Sequence, residues 1–323
     1  LVQHIGRLCD PAHLRDYGVS KVRRLIVPIK ISMKITATKI AQWAKTKKAQ
    51  VTLPRLIRRL AHTAGKPTEA DFPAGDSTGL PGWDGELVSE SGSPWIPKGT
   101  SYWEFSCEAE ATRKANKDYE KRTKSTARTI RSKATLVTLS ARKWSQKKVW
   151  LKKKRQAKQW ADIRAYDAND IEQWLDQNAA VALEFAEDLG LIGPGVESVG
   201  RRWDGWSQQS KPLISAEAMF IDRQSTRERI VGELRQRTEP NQPELYAVRA
   251  DSVDEAVAFV CASLVNHSDL MACTVVVTTP EGWRFVETNP SIKIAIAARP
   301  EIAESTRQRP PHNLRMRQDE IPP

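Results

Sequence analysis

The order of helix-like and strand-like runs is the feature of this sequence that most constrains its fold. Between Met33 and Gly190, apolar residues recur either at helical spacing or in short runs rich in β-branched and aromatic residues. These runs follow one another as helix, strand, strand, helix, strand, helix, strand, helix. An order in which strands alternate with helices predicts an α/β domain, with helices packed in layers against a sheet.

The predicted elements of this region have recognisable boundary signals. Thr52 is a candidate N-cap for the second helix, Gly65 ends that helix, and Asp167 is a candidate cap for the helix that begins at Ala168. The other helices are predicted at 35–49, 108–128, 146–160 and 179–189. The strands are predicted at 83–88, 101–106, 134–139 and 162–166.

A second α/β unit is predicted after the Gly-Pro-Gly segment 193–195. Its predicted elements are a helix, 253–264, and the strands 245–248, 274–278 and 292–297. Parallel crossovers are expected between these strands. The resulting division is an extension, 1–32, a first domain, 33–192, a second domain, 203–299, and a tail, 300–323. We expect the extension to be disordered and the tail to be either disordered or cut short within a larger protein.

The second unit contains a strand, a turn and a helix in the order of a phosphate-binding loop. Its turn, 249–252, has neither the glycines nor the lysine that such a loop uses. Asp251, Asp254 and Glu255 near the start of the helix would repel phosphate. The segment is therefore either a degenerate nucleotide-binding module or part of an ordinary small α/β domain.

The balance of charges favours a polyanionic partner. The chain has 51 Lys and Arg against 39 Asp and Glu, which gives a net charge of +12. Cationic side chains that neutralise phosphates supply most of the non-specific affinity for nucleic acid. The alternative is a protein whose lysines face solvent without a partner.

The cysteines and the apolar runs argue against other classes of protein. Cys9, Cys107, Cys261 and Cys273 form no CxxC pair, which disfavours a zinc site and a disulfide scaffold and fits a reducing compartment. No apolar run approaches the roughly 20 residues that span a bilayer. We therefore expect a cytoplasmic protein that does not enter the membrane.

Two acids on neighbouring predicted strands are the strongest candidates for chemistry. Asp84 begins the first strand, and Glu104 lies in the middle of the second strand, between two aromatic residues. Hydrolysis of a phosphodiester needs an activated water and neutralisation of developing negative charge, and two carboxylates that hold Mg²⁺ supply both. The alternative is that Glu104 points outward from a half-exposed strand.

The order of these elements resembles the PD-(D/E)XK nuclease fold, in which an acid begins one core strand, a (D/E)-X-K motif lies on the next, and a helix follows. The resemblance covers residues about 33–190 and implies a restriction-endonuclease-like core, a mixed sheet flanked by helices. The chain is similar in particular to nuclease-like domains at the N-terminal end of large bacterial defence proteins. The matching segments are Leu53–Leu60, Gly82-Trp83-Asp84-Gly85, Trp103-Glu104-Phe105-Ser106 and Lys114–Thr123.

This resemblance implies a cofactor and a set of site residues. Asp84 and Glu104 would bind Mg²⁺ or Mn²⁺. Ser106 stands where the family has its lysine, so a lysine of the following helix is expected to replace it. Lys117 is the first candidate and Lys114 the second, and the alternative is that both are surface residues of that helix.

A very basic segment follows the third predicted strand. Its tryptophans, Trp150 and Trp160, are expected in the core, and its cations are expected to contact phosphate. Arg58 and Arg59 form a second, shorter candidate patch. The candidate nucleic-acid-binding residues of the basic segment are Lys147, Lys148, Lys152, Lys153, Lys154, Arg155 and Lys158.

These patterns predict a Mg²⁺-dependent endonuclease that hydrolyses DNA, with RNA as an alternative substrate and bacterial antiviral defence as the expected context. A second hypothesis is a non-catalytic nucleic-acid-binding or regulatory module on the same fold. A third is a sensor whose C-terminal unit binds partners. The partners expected beyond nucleic acid are a second copy of the chain or further domains of a larger protein.

Overall fold

The computed structural model of the chain describes residues 34–65, 67–75, 82–193, 195–238, 246–248, 252–304 and 317–318. The predicted extension, 1–32, and most of the predicted tail lie outside these residues. The turn 249–251 of the predicted phosphate-loop-like segment also lies outside them.

Helices and strands alternate through the described residues. The helices are α1 Ala37–Trp43, α2 Lys47–Gly65, α3 Ala111–Ser125, α4 Arg128–Arg131, α5 Lys147–Gln156, α6 Ala168–Asp176, α7 Ala179–Asp188, α8 Val199–Ser207, α9 Ala216–Met219, α10 Gln224–Arg237, α11 Val253–Leu264, α12 Ser268–Met271, α13 Trp283–Glu287 and α14 Pro300–Glu304. The strands are β1 Glu69–Asp71, β2 Gly85–Ser89, β3 Gly99–Ser106, β4 Thr135–Ser140, β5 Asp162–Tyr166, β6 Val196–Glu197, β7 Tyr246–Ala247, β8 Thr274–Val277, β9 Ile294–Ala297 and β10 Arg317–Gln318.

The first five strands form one mixed sheet in the order β1-β2-β3-β4-β5. The first three strands are antiparallel neighbours, and β3, β4 and β5 are parallel. Parallel neighbours need a crossover, and α3 and α5 supply the two crossovers in this half of the sheet. The prediction of an α/β fold with a mixed sheet and flanking helices is confirmed.

Helices cover both faces of this sheet. On one face Trp103, Phe105 and Val137 pack in a core with α1, α2 and α6. On the other face Leu136 and Tyr102 pack against α3 and α5. Because side chains alternate along a strand, Glu104 shares the second face with Tyr102 and lies under α3.

The second helix, α2, begins earlier in the chain than predicted. The chain leaves α1 after Trp43, and Thr46 Oγ1 accepts a hydrogen bond from Ala49 N–H at 3.2 Å, which is the contact of an N-cap. Thr52, the predicted cap, lies inside α2 and donates its hydroxyl proton to Lys48 O at 2.8 Å. The prediction was wrong because the buried stripe of α2 already begins at Ala49.

Later elements also differ in their bounds. The helix predicted to reach Trp160 ends at Gln156, and Lys158 beyond it has a positive φ of 49°. The short strand β1 and the 14-residue helix α10 were not predicted. Asp167 is confirmed as the cap of α6, where it forms a capping box with Asp170.

The second sheet has the order β6-β8-β9, with β8 and β9 parallel. The predicted strand 245–248 contributes β7, which pairs with β10 instead of joining this sheet. Helix α11 provides the largest share of the apolar core around the sheet. That core also includes Ala179 and Leu183 of α7.

Candidate active site

Asp84 is held where the first sheet loses its regular pairing. Strand β2 begins at Gly85, which lies opposite Trp103, so Phe105 extends past the end of β2. The backbone N–H of Phe105 donates to Asp84 Oδ2 at 2.7 Å. The carboxylate therefore takes the place of a strand carbonyl and is fixed beside β3.

The two residues before Asp84 hold a cation from α3. Gly82 has a φ of +146°, a conformation that favours glycine, and its carbonyl accepts a hydrogen bond from Arg122 Nη2. The guanidinium carbon of Arg122 lies 4.2 Å from the ring centroid of Trp83. Trp83 in turn stacks on Tyr102 of β3, with ring centroids 4.7 Å apart.

Gly85 allows a close approach of another ring. A Cβ at this position would lie 2.3 Å from Cδ1 of Phe72, which packs against Trp103 and Phe105. Each residue of the segment Gly82–Gly85 therefore has a role in placing the Asp84 carboxylate.

Glu104 is the buried acid of the site. Its side chain is 4% exposed and pairs with Arg122 Nε through Oε1. The parallel register places Glu104 beside Thr138 of β4, on the same face of the sheet. The buried Thr138 hydroxyl has no hydrogen-bond partner among the described residues. Such an unpaired polar atom next to a carboxylate suits a site that takes up a polar ligand or an ion.

A stripe of charged residues on α3 lies over the two acids. Lys114, Asp118 and Arg122 follow at four-residue intervals, so they share one face of the helix. Lys114 Nζ is 2.6 Å from each oxygen of the buried Asp118 carboxylate. The site thus contains three carboxylates and two cations, and its groups influence one another electrostatically.

Burial raises the pKa of both acids. For Glu104, burial and then the neighbouring Asp84 charge raise the pKa to about 7, although Arg122 opposes the rise. For Asp84, burial raises the pKa, while the Phe105 N–H and the charge of Lys114 oppose the rise. Both carboxylates are therefore costly to ionise without additional positive charge. Acids with such shifts are concentrated at functional sites.

One oxygen of each acid remains available. Among the described residues, none donates a hydrogen bond to Asp84 Oδ1 or to Glu104 Oε2. Two such oxygens and the Thr138 hydroxyl are hard ligands of the kind that Mg²⁺ and Mn²⁺ take. No group of three or more His, Cys, Asp or Glu side chains in the described part of the chain is arranged to hold a metal ion.

The two candidate lysines have different positions. Lys114 is partly buried beside Asp118, and its charge acts on Asp84. Lys117 is exposed on the outer face of α3. Ser106 accepts a hydrogen bond from the Glu108 N–H at 3.0 Å. The geometry therefore brings Lys114, and not Lys117, into the group of charges around the acids.

Arg122, the cation in contact with Glu104, was not among the residues predicted from the sequence. A signal was present: Arg122 lies four residues after Asp118 and eight after Lys114, on the helix face next to the apolar stripe of Ala115 and Tyr119. Only lysines were considered because the resemblance calls for a lysine.

The basic segment divides into structural and exposed cations. Lys147 pairs with Asp167 at 2.9 Å in the cap of α6, and Lys154 Nζ lies 4.2 Å from the ring centroid of Tyr119. Arg155 pairs with Asp162 at 3.0 Å. The cations that are exposed without an ion pair among the described residues are Lys148, Lys152, Lys153 and Lys158. Trp150 and Trp160 are buried, as predicted.

The second candidate patch lies largely inside the protein. Arg59 is 6% exposed and pairs with Glu184 of α7, and burial lowers its pKa to about 9. Arg58 is partly buried, and burial followed by the charge of Arg55 lowers its pKa. Arg59 is therefore engaged by a carboxylate of α7.

The acids at the start of α11 are paired with arginines. Arg202 contacts Asp254 at 2.8 Å, and Arg223 contacts Glu255 at 2.7 Å. Both are surface contacts that join α11 to neighbouring segments. This arrangement gives the start of α11 a structural role.

Comparisons with known protein families, with curated proteins and with solved structures found no match for this chain. Within the described residues, no helix combines the length and the apolar character needed to cross a membrane.

Proposed function

We propose that this chain is a metal-dependent endonuclease with a restriction-endonuclease-like core, and that Asp84 and Glu104 bind Mg²⁺ or Mn²⁺ at its active site. The observation that carries the proposal is the placement of two acids. Asp84 accepts the N–H of Phe105, the residue after the buried Glu104, and each acid has one oxygen without a donor among the described residues. The mixed strand order, with Asp84 directly before β2, Glu104 on β3 and a helix following β3, supports the same fold.

Each residue of the site has a role in this proposal. A bound divalent cation supplies a Lewis acid that makes its water more acidic. Asp84 and Glu104 hold the cation, and Lys114 provides positive charge for the phosphate at the edge of the site. Lys117 lies farther out on α3, where it suits contact with a neighbouring phosphate.

Nucleic acid is the polyanion that best fits the surface next to the site. Helix α5 has six Lys or Arg and no acid, and α3 carries exposed Lys117, Lys121 and Lys124. The two helices pack on the same face of the sheet as Glu104. Trp144, Trp150 and Trp160 of this face are buried and donate their indole N–H groups to α3 side chains, so contact with the phosphate backbone is favoured over base stacking.

Plasmid nicking tests the catalytic part of the proposal. Supercoiled DNA is incubated with the purified chain in Mg²⁺, in Mn²⁺ and in EDTA, and we expect nicking in the metal-containing samples. Asp84→Asn and Glu104→Gln should lower the rate by at least about 100-fold, because each removes a metal ligand. Glu86→Gln, at an exposed position on β2, is the matched control and should cut like the parent. Equal cutting by all four proteins would exclude Asp84 and Glu104 from catalysis.

Non-catalytic nucleic-acid binding is the second candidate function. Ser106 at the family's lysine position and the pairing of Glu104 with Arg122 favour it. A chain that leaves DNA intact in both metals, but binds it with a salt dependence that Lys148→Gln, Lys152→Gln and Lys153→Gln together reduce, would support this candidate. Absence of DNA binding at low salt would argue against both functions.

A further inference from the structure

We infer that Arg122 is the positioning residue of the acidic site, which holds Glu104 and the Gly82–Asp84 segment together so that a divalent cation can bind between the two acids. The inference rests on the proposed function, because it concerns the same metal site. It adds a residue that neither the lysine motif nor the spacing of acids indicates.

The contacts of Arg122 join three parts of the chain. From α3, its Nε contacts Glu104 on β3, and its Nη2 contacts the carbonyl of Gly82 before β2. Its guanidinium plane lies on Trp83. Asp84 is two residues after Gly82 and one after Trp83, so a single side chain sets the position of both acids relative to each other.

The chemistry of these contacts requires arginine. A guanidinium presents N–H donors in two fixed directions and a flat face for an aromatic ring. A lysine ammonium is a point charge on a flexible stem, and it cannot meet the carboxylate, the carbonyl and the ring with one fixed geometry. The Gly82 conformation, with φ at +146°, turns its carbonyl into this arrangement.

Burial separates this role from substrate contact. The Arg122 side chain is only 11% exposed and is engaged by Glu104, the Gly82 carbonyl and the Trp83 ring. It occupies Oε1 of Glu104, while the Phe105 N–H occupies Oδ2 of Asp84. One oxygen of each acid is thus committed to the protein, and the other oxygen of each is left for a cation. Partners of this kind around a metal ligand commonly change metal affinity by about 10- to 100-fold when they are removed.

Mn²⁺ titration of the intact chain by isothermal calorimetry tests the inference. The variants are Arg122→Gln, Arg122→Lys and the control Arg131→Gln. Arg131 is a matched control because its guanidinium also joins separate segments by hydrogen bonds, here to Thr126 O at 3.0 Å and Gln159 O at 2.7 Å, away from the acids. All titrations are made below the onset of thermal unfolding of each protein.

The expected order of Mn²⁺ affinity separates the possible roles. Arg122→Gln should bind Mn²⁺ at least about 10-fold more weakly than the parent. Arg122→Lys should lie between the two, because it keeps the charge and loses the contact geometry. Arg131→Gln should bind like the parent. If Arg122→Gln does not fold, the Mn²⁺ affinity of Arg122→Lys is compared with that of Arg131→Gln instead.

Three results would overturn the inference. Unchanged Mn²⁺ affinity in the Arg122 variants would show that Arg122 does not position the acids. Tighter binding would show that Arg122 competes with the cation for Glu104. Absence of Mn²⁺ binding in the parent would remove the metal site itself, and with it the proposed function. The first two results leave the metal site, and therefore the proposed function, standing.

Discussion

The two sheets of this protein treat buried polar groups in different ways. In the first sheet, β3 carries the buried Glu104, and its neighbour Thr138 has a hydroxyl without a partner among the described residues. In the second sheet, Val275, Val276 and Val277 fill β8. The buried Thr274 of β8 donates its hydroxyl proton to Leu270 O at 2.7 Å.

This contrast separates a core built for packing from one built around charge. Buried apolar strands stabilise a domain through the area they remove from water, and satisfied hydroxyls add little cost. A buried carboxylate with a raised pKa lowers stability unless a partner compensates it. Strand β3 therefore accepts a cost at Glu104 that strand β8 avoids, and such a cost is typical of a functional site.

The strongest test of the contrast places an acid in the second sheet. Val276→Glu puts a carboxylate on a strand where Val276 is fully buried and flanked by β6 and β9. We expect a loss of about 4 kcal/mol or more in the free energy of unfolding, because the new carboxylate would be buried in an apolar core next to Glu197 of β6. Urea unfolding at pH 8 measures the loss. Val276→Thr, which replaces a methyl group by a hydroxyl of similar size, should lower the free energy of unfolding by about 1–3 kcal/mol. Equal losses in Val276→Glu and Val276→Thr would contradict the idea that charge is the costly feature in this sheet.

The second test removes the charge from the first sheet. Because the pKa of Glu104 is about 7 when folded against 4.5 as the ordinary value, the folded state binds a proton more tightly than the unfolded state. This contribution to stability is full below about pH 4.5 and is lost as pH rises through 7. Glu104→Gln should remove this decrease in the free energy of unfolding with rising pH, which is on the order of 3 kcal/mol.

Thermal and urea unfolding at pH 5.5 and pH 8 measure that change. Glu104→Gln should gain stability relative to the parent at pH 8 and gain less than half as much at pH 5.5, where only part of the contribution has been lost. Glu90→Gln, at an exposed position just after β2, is the control and should keep the parent's pH dependence. A variant with the same pH profile as the parent would mean that Glu104 is not the group responsible.

The third test compares a glycine from each region. Gly85→Ala forces a Cβ against the ring of Phe72, and we expect a loss of about 1–3 kcal/mol in stability. Gly200→Ala in α8 has its nearest neighbouring atom at 3.8 Å, and it should stabilise by up to about 1 kcal/mol. Thermal unfolding of both variants checks the opposite signs. Similar effects at the two positions would contradict the packing described for Phe72.

The smallest expected effect concerns a surface ion pair of the second region. Arg235 and Asp269 are 2.9 Å apart and about half exposed. Exposed pairs contribute little because water and salt screen them, so Arg235→Gln should change the free energy of unfolding by less than about 1 kcal/mol. Urea unfolding of the parent and of Arg235→Gln in low and high salt measures this change in free energy. A loss above 2 kcal/mol would show that charge matters as much in this region as around Glu104.

The alternation of helices and strands predicted most of the first sheet. Apolar period and turn residues are local signals, so β2 to β5 and α5 to α7 were located to within a few residues. Where local signals compete, prediction failed: Thr46 and Thr52 are both acceptable caps, and the burial of Ala49 decided between them. Helix α10 was missed because its polar and apolar residues have a weak period.

The acids of the site were easier to predict than their partners. Asp84 and Glu104 were assigned to neighbouring predicted strands, and β2 and β3 pair as antiparallel neighbours. Arg122 was missed because its role depends on three contacts from different elements, which no spacing along the chain encodes. The burial of Arg59 depends in the same way on α7, which lies about 125 residues later in the chain.

The hydrogen bond from Phe105 N–H to Asp84 Oδ2 also makes the backbone a spectroscopic reporter. An amide proton that donates to a carboxylate resonates at a position that depends on the charge and distance of that carboxylate. Binding of a cation to Asp84, or its protonation, should therefore shift the Phe105 amide signal and leave those of β8 unchanged. One main-chain resonance can thus follow the occupancy of the site in solution, independently of any substrate.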